Sequence, residues 1–196
     1  MNSDFLMHYG IPEMKWGVRR YQMAGSSKRT PEGRIRYAHS DGKSHKTPDA
    51  LSHEMKKVKY KNFTKLMSPK EFAKKQSGSC HDQVMYEMSE LRKSGFDPKA
   101  CFVMEVDDKG QGGMTHSFVY YKNGDKVTWF ENAWQEKAGV HNYGSLKDIK
   151  QEIIKAHKDG IFGEKTKFKN LLFGTFNDKD HTPGETLQEF VDKCLK

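Results

Sequence analysis

The chain has 196 residues, enough for one domain of ordinary size and an appendage; 35% hydrophobic against 31% charged residues is polar for a fully packed globule. No run of about 18 apolar residues occurs, so no transmembrane helix is expected, and Phe5-Leu6-Met7 is followed at once by His8, which leaves no signal-peptide core. The formal net charge of +8 is uneven: residues 1–75 carry 17 Lys/Arg against 7 Asp/Glu, residues 76–196 carry 17 against 19. Three cysteines, Cys80, Cys101 and Cys194, are too few and too scattered for a disulfide framework, which points to a reducing setting and free thiols.

In chain order, residues 1–48 read as an irregular basic arm. Prolines and glycines interrupt it, and its apolar residues appear singly, without helical or strand period. Met14-Lys15-Trp16-Gly17-Val18-Arg19-Arg20-Tyr21-Gln22 interleaves aromatic and cationic side chains, a mixture that suits a protein groove or, as the weaker alternative, nucleic acid. A single domain over 49–196 follows. Residues 49–75 carry a helical pattern (Leu51, Met55, Val58, Phe63). Ser68-Pro69-Lys70-Glu71 reads as a helix start, with Ser68 as N-cap and Glu71 at N3.

From Cys80 the pattern is a helix, with Val84, Met88 and Leu91 on one face and Gly95 beyond its end. A strand over Ala100–Val106 comes next, then a flexible Gly-rich loop over 107–113. A strand over His116–Tyr121, an Asn123-Gly124 hairpin turn and a return strand over Lys126–Phe130 follow. Residues 145–157 read as a helix with Leu146, Ile149, Ile153 and Ile154 inward and Ser145 as N-cap. A strand over 167–176 and a helix over Thr186–Leu195 complete the chain, the latter with Leu187, Phe190, Val191 and Cys194 on one side. The order implies an α+β fold in which a helix packs on a small antiparallel sheet.

The candidate chemistry centres on Gly78-Ser79-Cys80. A free thiol has a pKa of about 8.5, and only the thiolate is a good nucleophile. A helix start stabilises that anion, a nearby imidazole does so further, and backbone N–H groups beside Cys80 can serve as an oxyanion hole. Gly78 and Ser79 let the chain turn sharply. His116, displayed at a sheet edge behind the Gly-rich loop, is the candidate base. It needs an acceptor at its second nitrogen, and the return strand supplies Glu131 and Asn132. Strand alternation points these two to opposite sides, so only one can meet His116. Taken alone, a cysteine at a helix start is more often a buried structural thiol; it is the conjunction with His116 and a carboxylate or amide that favours a triad. Zinc at Cys80, His81, Asp82 and His116 is the rival reading, but no CxxC or HExxH spacing supports it, and no cofactor or metal is expected. Cys101 reads as core, and the other histidines carry no partner pattern.

The run Gly78–Trp134 resembles the transglutaminase-like branch of the papain-like cysteine superfamily. Gly78-Ser79-Cys80-His81-Asp82 is similar to its nucleophile turn, Thr115-His116-Ser117-Phe118-Val119 to its histidine strand, and Phe130-Glu131-Asn132-Ala133-Trp134 to the segment holding its third residue. The resemblance implies a papain-like core and a Cys80–His116–Glu131 triad, with Asn132 the choice under a papain-style comparison. It implies acyl transfer on peptide or amide bonds through a thioester: peptidase or deamidase chemistry, or cross-linking. The implied partner is a protein or peptide substrate. Separately, His8–Gln22 with Gly25-Ser26 and Thr30–Tyr37 resembles a box found in proteins of bacteriophages and mobile elements of Gram-positive bacteria. That resemblance implies a phage or prophage origin, contacts with phage structural proteins through residues 8–37, and a location in the bacterial host cytoplasm or the virion. A non-catalytic virion or interaction protein using the arm is the alternative.

Overall fold

A computed structural model describes residues 46–109, 112–158 and 170–194. The arm therefore lies outside the described residues, apart from Lys46–Pro48. Within the described residues the chain runs α1 (Pro48–Met55), β1 (Lys59–Tyr60), α2 (Pro69–Lys75), β2 (Ser77–Gly78), α3 (Cys80–Lys93), β3 (Lys99–Val106), β4 (Gly112–Asn123), β5 (Lys126–Glu131), β6 (Gly139–Tyr143), α4 (Leu146–Lys158), β7 (Asn170–Phe176) and α5 (Leu187–Cys194). A five-stranded antiparallel sheet, in the order β6-β5-β4-β3-β7, forms the middle layer. The α+β class expected from the element order is the one observed.

Both faces of the sheet are covered. Alternate β3 residues Ala100, Phe102, Met104 and Val106 join a core with α1, α3 and α5, including Leu51, Met55, Val84, Met88, Leu91 and Phe190. Cys101 and Val103 join a second core, with Trp129, Trp134 and the α4 residues Ile149, Ile153 and Ala156. A strand covered on two faces has no polar side, which is why β3 after Lys99 is buried throughout. Cys101 is core, as its β context implies.

Several sequence expectations need correction. The helical pattern over 49–75 is broken at Met55, where Lys56 caps α1; Val58 and Phe63 still pack against the core, from irregular chain. The Gly-rich stretch is shorter than expected as a loop: β4 already pairs Gly112 with Val106. β6 had no strong signal in Gly-Val-His-Asn-Tyr and is held by pairing with β5. Ile154 is only half-buried, and Ala156 takes its place on the inner face of α4. The proposed strand residues 167–169 and the side chain of Cys194 lie outside the described residues.

Candidate active site

Three local devices place the thiol. The Ser68–Glu71 capping box starts α2 as expected, with Glu71 N–H donating to Ser68 Oγ and Ser68 N–H to Glu71 Oε2. Gln76, at φ 49° in the left-handed region, turns the chain out of α2. It then pairs in parallel with β1 through Lys59↔Ser77 and Tyr60↔Gly78. Finally a second capping box starts α3: Asp82 Oδ2 accepts from Ser79 N at 2.9 Å and Ser79 Oγ at 2.8 Å, while Met67 N donates to Asp82 Oδ1 at 2.8 Å. Cys80 is thus the first residue of a helix whose start is bonded on all sides.

Gly78 owes its place to a close approach, since its φ is not in the left-handed region. A Cβ there would lie 2.7 Å from Asp82 Cβ and 2.9 Å from the Phe72 ring, two buried groups that cannot yield. Gly78→Ala is therefore expected to lower stability by about 1–3 kcal/mol, read from the urea midpoint; an unchanged midpoint would refute the close-approach account.

β4 is the middle strand, so His116 stands at the centre of the sheet and not at its edge. Its exposure to the thiol comes from a local opening. Pairing between β4 and β5 ends at Val119↔Phe130, and both His116 and Glu131 lie beyond that last pair. His116 Nε2 is 2.7 Å from Glu131 Oε2, and Glu131 Oε1 accepts from Trp134 N at 2.9 Å. The Cys80 side chain lies close enough to the His116 ring to act on its protonation. All three groups are buried: Cys80 is 3% exposed, His116 6% and Glu131 1%. Burial alone would lower the His116 pKa, but the charge of Glu131 and the bonds to Cys80 and Glu131 outweigh it and raise it from 6.5 to about 10.

Asn132 is not brought to His116. Its Nδ2 donates to Glu87 Oε1 at 3.0 Å and its Oδ1 accepts from Ser52 Oγ at 3.2 Å, tying the end of β5 to α3 and α1. Glu87 is fully buried, and burial pushes its carboxyl up to about 8, aided by the charge of Glu131 and opposed by the Asn132 bond.

Three features escape sequence reasoning. Tyr60 packs against Cys80, and burial followed by the nearness of Cys80 raises its pKa. No signal in a two-residue strand 20 positions upstream reveals this. The expected backbone oxyanion donors are also partly consumed, since Ser79 N–H is spent on Asp82. His157, assigned nothing from sequence, lies 2.9 Å from buried Glu105. The rival zinc set is not assembled: His81 packs between the rings of Phe176 and Phe190, at 5.2 and 4.0 Å, and the described residues contain no cluster of three or more metal-ligating side chains.

A model described as a family of unknown function (DUF7211) matches residues 2–23. The match overlaps the Met14–Gln22 segment of the arm and does not reach the folded domain. No curated protein matches the chain. No helix among the described residues is long and apolar enough to cross a membrane.

Proposed function

We propose that the chain is a cysteine-dependent acyl-transfer enzyme acting on peptide or amide bonds through a transglutaminase-like Cys80–His116–Glu131 triad. The observation that carries this reading is the convergence of a helix-start thiol and Glu131 on one buried imidazole, with His116 Nε2 2.7 Å from Glu131 Oε2. Cys80 attacks the carbonyl carbon as thiolate, and the oxygen takes the negative charge. The Tyr60 hydroxyl, beside Cys80, is the donor placed to receive that oxyanion. The C–N bond breaks as imidazolium His116 gives its proton to the leaving nitrogen, leaving a thioester on Cys80. His116, now neutral, takes a proton from the accepting water or amine, which attacks the thioester and frees Cys80. Water as acceptor gives peptidase or deamidase chemistry, and the favoured reading is hydrolysis; an amine gives cross-linking. The phage-type box over residues 8–37 supports a phage or prophage setting, in which the arm addresses the enzyme to its site of action.

Cys101 provides an internal control for the thiol. Burial pushes its pKa up to about 12, whereas Cys80 has an imidazole partner. Iodoacetamide at neutral pH, followed by peptide mass mapping, should label Cys80 at least ~100-fold faster than Cys101. The same protein incubated with a glutamine-containing peptide and hydroxylamine should release a hydroxamate. Equal labelling of the two thiols, or no hydroxamate from any peptide, would remove the catalytic reading.

A further inference from the structure

The basic excess of the N-terminal third is not confined to the arm. Residues 1–48 hold nine Lys/Arg against four Asp/Glu, and residues 49–75 hold eight Lys against Asp49, Glu54 and Glu71. Half of the +10 therefore sits on the folded domain. Those eight are Lys56, Lys57, Lys59, Lys61, Lys65, Lys70, Lys74 and Lys75, and every one is exposed. None forms an ion pair within 4.0 Å with a carboxylate of the described residues. Of the three acids in the stretch, Glu54 is held by Lys46 and Tyr86, and Glu71 is committed to the Ser68 cap.

This charge is placed on the elements that deliver the nucleophile. Lys59 and Lys61 flank Tyr60, which touches Cys80; Lys74 and Lys75 end α2, two residues before β2 leads into Ser79-Cys80. We propose that this lysine face is the substrate-docking surface of the site and that its occupant is an acidic polypeptide segment, whose carboxylates flank the amide presented to Cys80. The inference rests on the proposed acyl-transfer reading for the amide, and on charge complementarity for the rest. The eight lysines are spread from the end of α1 through β1 to the end of α2, with Lys61 and Lys75 converging on the Phe63 ring, and charge distributed over three elements suits an extended chain more than one small anion. Nucleic acid would share the charge complementarity but asks for open aromatic faces on which bases stack. The aromatic ring available there, Phe63, already has Lys61 Nζ at 5.1 Å and Lys75 Nζ at 5.0 Å from its centroid.

The test uses the full-length chain and two readouts. The first is local to the thiol: the rate of Cys80 alkylation by anionic iodoacetate relative to neutral iodoacetamide. The second is fluorescence anisotropy of a Glu-rich and a Lys-rich peptide, each with one central glutamine, on a Cys80→Ala protein that cannot turn them over. Wild type should favour iodoacetate several-fold more than a Lys59→Glu, Lys70→Glu, Lys74→Glu variant does, with the difference shrinking at high salt. The Glu-rich peptide should bind at least ~10-fold more tightly than the Lys-rich one and lose most of that preference in the triple variant. A preference that survives the triple variant belongs to the arm and overturns the proposal. So does a single-stranded oligonucleotide that the triple variant releases while its hold on the Glu-rich peptide is unchanged. Because peptide binding is read without turnover, absence of hydroxamate chemistry counts against the enzymatic reading alone.

Discussion

A Glu131→Gln protein is expected to lose roughly 10³–10⁴-fold in acyl-transfer rate, and Cys80→Ala all of it, as measured by hydroxamate release. The glutamine keeps the size of Glu131, so the fold should survive, but it removes the charge that makes His116 a cation in a buried setting. In the wild type that charge, with the bonds from Cys80 and Glu131, overcomes burial and raises His116 from 6.5 to about 10. Without it, burial dominates and lowers the pKa, so neutral imidazole faces the thiol at neutral pH. Cys80 then faces no cationic partner, and its alkylation at neutral pH should slow. Linkage gives the same pair a stability signature. His116 holds its proton more tightly folded than unfolded, so its contribution is complete below pH 6.5 and is lost as pH rises through about 10. Glu131→Gln should flatten that alkaline decline. A variant with undiminished rate and undiminished Cys80 alkylation would show that Glu131 merely packs against His116.

Glu87→Gln should act in the opposite sense on stability. Burial raises Glu87 from 4.5 to about 8, so between those values the folded state keeps a proton that the unfolded chain releases. Where the folded state binds more protons, stability falls as pH rises. Glutamine does not titrate and retains the oxygen that accepts from Asn132 Nδ2. The variant is therefore expected to be more stable than wild type above pH 8, by about 1–4 kcal/mol, and to show a flatter urea midpoint from pH 4.5 to 8. Parallel pH curves for the two proteins would contradict this. Activity sharpens the assignment: ionised Glu87 puts a second carboxylate near Glu131 and His116, so the alkaline limb of the wild-type rate should shift in Glu87→Gln. A purely structural side chain would leave that limb in place.

How much of this was legible in the chain varies with how local its cause is. The start of α3 at Cys80, the Asn123-Gly124 hairpin, the Ser68 cap and Ser145 at the head of α4 follow from side-chain and backbone chemistry within a few residues. The helical face of α3 follows from its period. So does the narrowing of the third position to two neighbours, because strand alternation sends Glu131 and Asn132 to opposite faces.

What the sequence determined by itself was therefore an α+β chain with a thiol at a helix start, a histidine on a following strand and an acceptor on that strand's hairpin partner. Tertiary structure decided the rest, since these outcomes depend on pairings between distant segments. The end of β4–β5 pairing at Val119↔Phe130 frees Glu131 to reach His116, and the burial of Glu87 claims Asn132. The parallel pairing of β1 with β2 brings Tyr60 to Cys80 and carries the lysines of residues 56–75 to the chain entering the site. Sequence alone assigned those lysines to the 49–196 domain, and only the fold brings their elements beside the chain that leads into Cys80.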